Sequence, residues 1–338
     1  MKRKKILYIG NALSHKGATV TSVETLGVFL RNEGYTIIVS SSVKNKILRM
    51  LDMIKTIFFY RNETKTVLID TYSTINYWYA IVIGHLCRLF KLDYIPILRG
   101  GNLPYRLKKN PKTSERFFGK AKYNIVPSQY LLQDFKDKGY RNLKYIPNTI
   151  ETTKYPFVER AEISPNLLWV RSFARLYNPI MAIKVLQELQ KIYPKARLTM
   201  VGPKKDDSYD ECVDYSKKHN LDVNFTGKLS KMEWVALGES HDIFINTTDF
   251  DNTPISVIEA MALGVPIVST DVGGMPFLIE NNVDGLLTKA KDVDAFTEKV
   301  ISLIETPILV NKLSKRGRAK AEGFDWNQIK TLWNDVLS

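Results

Sequence analysis

The chain's 338 residues are too many for one ordinary hydrophobic core and suit two domains. With 44% apolar residues, no low-complexity tract and no repeat period, the composition excludes a disordered or fibrous chain. Residues 1–150 hold 26 Lys and Arg against 9 Asp and Glu, a net of +17, whereas the remainder is close to neutral at −3. Such a basic half suits an anionic membrane, a phosphorylated lipid or nucleic acid. Cys87 and Cys212 are distant and unpatterned, which excludes a disulfide framework and points to a reducing, cytoplasmic setting.

Taken in order, Met1-Lys2-Arg3-Lys4-Lys5 leads into Ile6-Leu7-Tyr8-Ile9, a run too short for a signal-peptide core and read as strand one. Val23 to Asn32 has helical spacing, Gly34 stops it, and Thr36 to Ser40 is a second strand. This is a doubly wound β-loop-α-β unit. Its loop, Ser14 to Thr19 with Gly17, lies beyond the carboxyl end of strand one, where ligands bind. The loop lacks the glycines of a dinucleotide fingerprint or a Walker motif. Lys44 to Tyr60 reads as a basic amphipathic helix striped by Ile47, Leu48, Leu51, Ile54, Ile57 and Phe58. It suits either a membrane surface or a domain-covering helix with a solvated basic face. Thr66 to Asp70 is a strand followed by a loop with Tyr72. Tyr77 to Phe90, the stretch nearest a membrane span, is broken by Gly84, His85 and Arg88 and reads as a buried helix. Tyr94 to Leu98 is a strand ending in Arg99-Gly100-Gly101-Asn102, where glycines permit close approach and an arginine can hold a phosphate or carboxylate. A strand to Pro127, a helix from Gln129 capped by Ser128, and a strand from Leu143 to Ile146 close the series. Glu151 to Pro165 then reads as a linker.

A second alternating series follows. Strands are expected at Leu167 to Val170, Arg197 to Val201, Val223 to Phe225 and Ile243 to Asn246. Helices are expected from Asn178 to Ile192, Tyr209 to His219 and Lys231 to Glu239, with later ones at Asp292 to Glu305 and Asn311 to Glu322 and one closing at Leu337. Between Asn246 and Gly274, Asp251 and Glu259 bracket a loop that turns into a helix. Thr253 offers a cap hydroxyl, Pro254 suits a first turn, Gly264 stops the helix and Val265 to Ser269 is a short buried strand. The free N–H groups of such a helix start favour phosphate, and an acid one turn in can accept from a sugar's vicinal hydroxyls.

This stretch resembles the signature of the retaining glycosyltransferases of family 4, also called group 1. Asp251 and Glu259 stand eight positions apart, and Glu259-Ala260-Met261-Ala262 runs on to Gly264, Pro266 and the Gly273-Gly274 pair. Ile146-Pro147-Asn148, Val201-Gly202, Phe225 with Gly227, and Phe324-Asp325-Trp326 are similar to further family motifs. The resemblance implies an α/β GT-B fold of two Rossmann-like doubly wound lobes facing a central cleft. Residues 1–155 would form the acceptor lobe and 156–324 the nucleotide-sugar lobe, with a closing helix over 325–338 packed back on the first.

The resemblance also implies a chemistry: retaining, metal-independent transfer of a hexose from a UDP- or GDP-linked sugar to a glycan or lipid-linked saccharide, as in cell-surface polysaccharide or lipopolysaccharide synthesis. Glu259 would accept from the ribose and Asp251 would hold the transferred sugar. Backbone groups near Pro254, Ile255 and Ser256 would hold the diphosphate with Arg171 opposite. Lys228 and Leu229 would meet the base, with Gly17 and Gly202 on the donor side. The sequence departs from the family pattern at three places. Tyr177 stands where the family has a lysine, leaving Arg175 or a residue of the basic lobe as the candidate second cation. Arg99 stands near a usual histidine, and Asp251 replaces a glutamate. Tyr72, Arg99, Asn102 and Arg106 are the acceptor-side candidates. No cofactor is required, and His15, His85, His219 and His241 show no metal-ligand spacing. The basic lobe implies peripheral contact with the inner face of the plasma membrane rather than nucleic acid, since no aromatic-basic recognition motif accompanies it. An epimerase or phosphorylase on the same fold is the alternative, and a nucleic-acid binder a more distant one.

Overall fold

The computed structural model describes residues 5–16, 20–160 and 162–338. The chain divides into two compact units, residues 1–147 with 330–338, and residues 148–329.

The first unit runs β1 (Lys5–Ile9), α1 (Ser22–Asn32), β2 (Thr36–Ser40), α2 (Lys46–Tyr60), β3 (Thr64–Thr71), α3 (Asn76–Leu89), β4 (Asp93–Leu98), α4 (Leu103–Lys109), α5 (Pro111–Phe118), β5 (Asn124–Val126), α6 (Gln129–Asp137) and β6 (Leu143–Tyr145). Its six strands are parallel in the order β2-β1-β3-β4-β5-β6. The strands read as unbroken apolar runs because both faces of the sheet are covered. Leu7, Ile9, Val67 and Ile69 enter a core with Met53 and Ile57 of α2 and Tyr77 and Ile83 of α3. Ile6, Tyr8 and Leu68, alternating with them, are also buried, and α1 packs against β1 and β2.

The second unit runs β7 (Asn166–Val170), α7 (Pro179–Gln190), β8 (Arg197–Val201), α8 (Ser208–Lys218), β9 (Val223–Gly227), α9 (Lys231–Glu239), β10 (Ile243–Asn246), α10 (Ile255–Ala262), β11 (Ile267–Thr270), α11 (Met275–Leu278), β12 (Leu286–Thr288), α12 (Val293–Glu305), α13 (Pro307–Glu322) and α14 (Trp326–Leu337), the last reaching into the first unit. The parallel order is β12-β11-β10-β7-β8-β9. Leu167 and Trp169 of β7 face a core with α7 and α12, while Leu168 between them faces a separate core with Val257 and Ile258 of α10. In both sheets the chain starts on an inner strand, fills one side, then crosses to the other. The switch points lie between β1 and β3 and between β7 and β10, and ligands bind beyond the carboxyl ends of strands at such points.

Four expectations are corrected. The unit boundary falls at Pro147, earlier than residue 155, because Ile150 bridges to Asp325 and the Thr152 N–H and hydroxyl donate to Asp325 Oδ2 at 2.8 and 2.6 Å. The closing segment joins the first unit from Lys330, where Tyr35 Oη donates to Asn334 Oδ1 at 2.9 Å. Glu151 to Pro165 is not a loose linker. Buried Arg160 donates to the carbonyls of Val158, Gly238, His241 and Leu263, fastening this stretch to α9 and α10. Finally, α4, α5, α11 and β12 were not foreseen. The first two start at Leu103 and Pro111, each with a proline in its first turn, within a basic stretch of weak periodicity, and the last two span four and three residues.

His241, 6% exposed, bonds the Leu237 carbonyl through Nδ1 at 2.7 Å and Thr199 Oγ1 through Nε2 at 2.9 Å, the pattern of a neutral ring. Burial lowers its pKa from the ordinary 6.5, outweighing the upward pull of the Leu237 carbonyl. A lowered folded-state pKa means stability that is complete above about 6.5 and lost as pH falls towards the folded value. Thermal melts between about pH 7 and 5 are therefore expected to show a falling limb that His241→Gln flattens. An unchanged slope in the variant would contradict the assignment.

Candidate donor site

The site is built at the carboxyl end of the second sheet, around the switch point. Arg171 follows β7, and its N–H donates to the Val201 carbonyl at 3.0 Å. The approach is so close that a Cβ on Gly202 would stand 1.7 Å from the Arg171 carbonyl oxygen; Gly202 also has φ +152°. Gly202 thus fixes the backbone beneath Arg171, a structural reason for the Val-Gly motif. The guanidinium lies 4.7 Å from the centroid of the Tyr177 ring and forms an ion pair with Asp251. The side chains of Arg171 and Asp251 are only 16% and 15% exposed, so the pair is poorly screened by water.

Asp251 is held from its own loop and from the glycine pair. Its Oδ1 accepts from the Asn252 N–H at 2.7 Å, and its carbonyl accepts from the Gly274 N–H at 2.9 Å. A Cβ on Gly273 (φ +55°) would meet the Asp251 carbonyl oxygen at 2.2 Å, and one on Gly274 the Asn252 carbonyl oxygen at 1.7 Å. The Gly-Gly motif therefore packs the β11–α11 loop against the acid's backbone, which no larger residue allows.

The next element, α10, starts without a side-chain cap. Pro254 is its N-cap, with φ −69° and ψ 123°. The Thr253 hydroxyl does not cap it. The Thr253 carbonyl instead accepts from Asn148 Nδ2 at 3.0 Å, which gives the Ile-Pro-Asn motif a place beside the site. The N–H groups of Ile255 and Ser256 have no intrahelical acceptor. Among the described residues, Ser256 Oγ is buried without a hydrogen-bond partner. An open helix start of this kind favours an anion.

Glu259, one turn in and 4% exposed, is more enclosed than the sequence suggested. Its Oε1 accepts from Tyr155 Oη at 2.8 Å and pairs with Lys231 Nζ, and its Oε2 accepts from Trp234 Nε1 at 2.9 Å. Burial and the neighbouring carboxylate hold the Tyr155 hydroxyl well above its ordinary pKa, so it stays a donor. A carboxylate has about four lone-pair positions, and Oε2 keeps one beyond the Trp234 bond. The sequence reading missed Tyr155, Lys231 and Trp234. Lys231 and Trp234 share a face of α9 at i, i+3 behind a Ser230–Glu233 capping box, the one local signal that could have located them.

The remaining candidates are dispersed. Arg175, the candidate second cation, has acidic partners. It is exposed and engaged by Asp207 at 2.7 Å and Glu211 at 2.5 Å, because acids crowd the start of α8. The Tyr177 ring, where the family resemblance leads one to expect a lysine, lies against the Arg171 guanidinium. Lys228 is exposed after Gly227, and Leu229 packs against the α10 core. In the first unit, Arg99 is drawn inward, its Nε 3.2 Å from Asp70 Oδ1, which also accepts from Tyr8 Oη at 3.0 Å. Tyr72 is half-buried where Gly100 packs against its backbone, and Asn102 is the exposed N-cap of α4. Arg106 Nε donates to the Ser73 carbonyl at 2.6 Å. Gly17 lies outside the described residues. Among those described, no three His, Cys, Asp or Glu cluster as metal ligands.

The family model for "Glycosyl transferases group 1" matches residues 152–320, which is 169 of the 338 residues. The chain belongs to the group 1 glycosyl transferases. The match spans most of the second unit and includes Arg171, Asp251 and Glu259. A glycogen synthase of Mycobacterium tuberculosis is 25% identical over 203 residues, covering 59% of this chain and 49% of the relative. An Escherichia coli UDP-Gal:alpha-D-GlcNAc-diphosphoundecaprenol alpha-1,3-galactosyltransferase is 24% identical over 218 residues, covering 58% and 54%. The chain thus spans about half the length of the curated relatives it matches. The crystal structure of Anabaena HepE in complex with UDP and glucose superposes with a TM-score of 0.76 at 17% identity, covering 99% of both chains. That likeness establishes the α/β two-lobed GT-B fold.

Proposed function

We propose that the chain moves a hexose from a nucleoside-diphosphate sugar, with retention at the anomeric carbon and without a metal, to a glycan or lipid-linked saccharide, and that it belongs to family 4 within group 1. The observation that carries this reading is the ion pair of Arg171 with Asp251, three residues before Pro254 and the uncapped start of α10, at the β7/β10 switch point. A diphosphate seated there receives the Ile255 and Ser256 N–H groups on one side and the guanidinium on the other. The C1–oxygen bond to the diphosphate breaks, a C1–oxygen bond to the acceptor hydroxyl forms on the same face, and the acceptor's proton passes to the departing diphosphate. Negative charge builds on that leaving group, and fixed donors stabilise it without reorganising. Protein cations and helix N–H groups supply the positive field that a metal would otherwise supply.

On this reading the incoming diphosphate draws Arg171 away from Asp251 and frees the carboxylate for hydroxyls of the transferred sugar. Glu259 offers its remaining lone pair to the ribose, and the backbone at Lys228 and Leu229 meets the base. Gly202 and Pro254 support the site through backbone packing, and Gly17, Tyr72 and Asn102 remain contact candidates. The lipid-linked acceptor is supported by the diphosphoundecaprenol in the name of the Escherichia coli relative. The test is transfer from UDP-, GDP- and ADP-sugars to a short-chain lipid-diphosphate saccharide in excess EDTA, with the product's anomeric coupling read by proton NMR. An α product from an α donor is expected. An inverted product, or an altered sugar nucleotide released without acceptor, would overturn the proposal.

A further inference from the structure

The outward faces of α2 and α3 are apolar where a water-facing helix is ordinarily polar. On α2, Ile47 is 74% exposed, Leu48 55%, Leu51 54% and Phe59 69%, while Met53 and Ile57 on the opposite side are buried. On α3, Trp78 is 43% and Leu89 65% exposed. The two helices pack against each other, and the Phe58 and Phe90 rings meet edge-on at 5.0 Å. Their exposed positions therefore join into one surface rather than two isolated stripes, and a continuous apolar surface of this kind marks an interaction site.

The charges around it select the occupant. Asp52 is the only acid within α2 and α3. Lys46, Lys55, Arg61 and Arg88 are exposed around the apolar residues. Lys55 Nζ lies 5.5 Å from the Phe59 ring centroid, and the Arg61 guanidinium lies 5.7 and 5.4 Å from the rings of Phe58 and Phe90. Their stems cover apolar surface while their charged heads reach outward. A second copy of this chain would set these cations against each other across a two-fold axis, which is unfavourable.

We infer that the α2–α3 face docks on an anionic lipid bilayer, its apolar side chains entering the headgroup–acyl boundary and its cations lying against the phosphates. The attachment is peripheral: among the described residues no helix is long and apolar enough to cross a membrane. This surface shares no residue with the donor site, so docking and sugar transfer are tested apart.

The experiment is co-sedimentation of the full chain with vesicles of phosphatidylcholine alone and of phosphatidylcholine mixed with phosphatidylglycerol, free of any lipid-linked saccharide. Binding to the anionic vesicles alone is expected, weakening with added salt. Leu48→Ser/Leu51→Ser/Phe59→Ser, and separately Trp78→Ser/Leu89→Ser, should each lower the partition coefficient at least about tenfold with little change in melting temperature. Two variants on different helices guard against a fold defect in either. Binding to neither vesicle, equal binding to both, or wild-type partition by the variants overturns the inference. So does a light-scattering dimer that the same substitutions dissolve.

Discussion

Arg171→Ala is expected to lower kcat by about 10²–10³ with a much smaller change in donor KM. The guanidinium sits at the end of β7 in a poorly hydrated position, where a charge acts more strongly on a developing anion than it would in water. Removing it does more than delete a cation, because Asp251, 15% exposed, is left as an uncompensated negative charge. A diphosphate gathering charge beside that carboxylate is repelled where it was formerly held. Arg171→Lys should recover only part of the rate. An ammonium can neither stack its plane on Tyr177, as the guanidinium does at 4.7 Å, nor present a fork to two phosphate oxygens. The double variant Arg171→Ala/Asp251→Asn, which removes both charges of the pair, isolates the structural share: its melting temperature should return towards wild type. A wild-type kcat in Arg171→Ala itself would make Arg171 a structural residue only.

Glu259→Ala should act chiefly on donor affinity and on stability. The carboxylate gathers the Tyr155 hydroxyl, the Trp234 indole N–H and the Lys231 ammonium. The Lys231 side chain is 54% exposed and can turn to water, so its share of the loss is small. The two neutral donors are enclosed, and leaving them unpaired costs about 2–4 kcal/mol together. Loss of the ribose contact should raise donor KM by about 10- to 100-fold, the worth of a hydrogen bond to a charged group. Glu259→Gln keeps the shape and one acceptor oxygen, so it should regain much of the stability and little of the affinity. Denaturant unfolding and donor titration of the two variants check both halves; a KM left unchanged in Glu259→Ala removes this residue from the donor site.

What could be read beforehand follows from what is local. Strand and helix succession in both units is written in short apolar runs and 3.6-residue spacing, and Gly264 stops α10 at φ +74° as its place in the pattern implies. The Asp251–Glu259 spacing and the glycine pair were visible for the same reason. Long-range partners were not. Tyr155 meets Glu259 across 104 positions of sequence, and no local pattern encodes that distance. The pairing of Arg171 with Asp251 is hidden for the same reason, since the two residues stand 80 positions apart in sequence. Arg175, four positions from Arg171, turns to the acids at the start of α8, partners more than thirty positions away that no motif spacing encodes.

The most direct test is a thermal-shift panel of UDP-, GDP- and ADP-sugars on the wild-type chain and on Arg171→Ala. One nucleotide class should raise the wild-type melting temperature, and the shift should largely vanish in the variant. If no nucleotide sugar stabilises the folded wild-type protein, the donor site described here is contradicted.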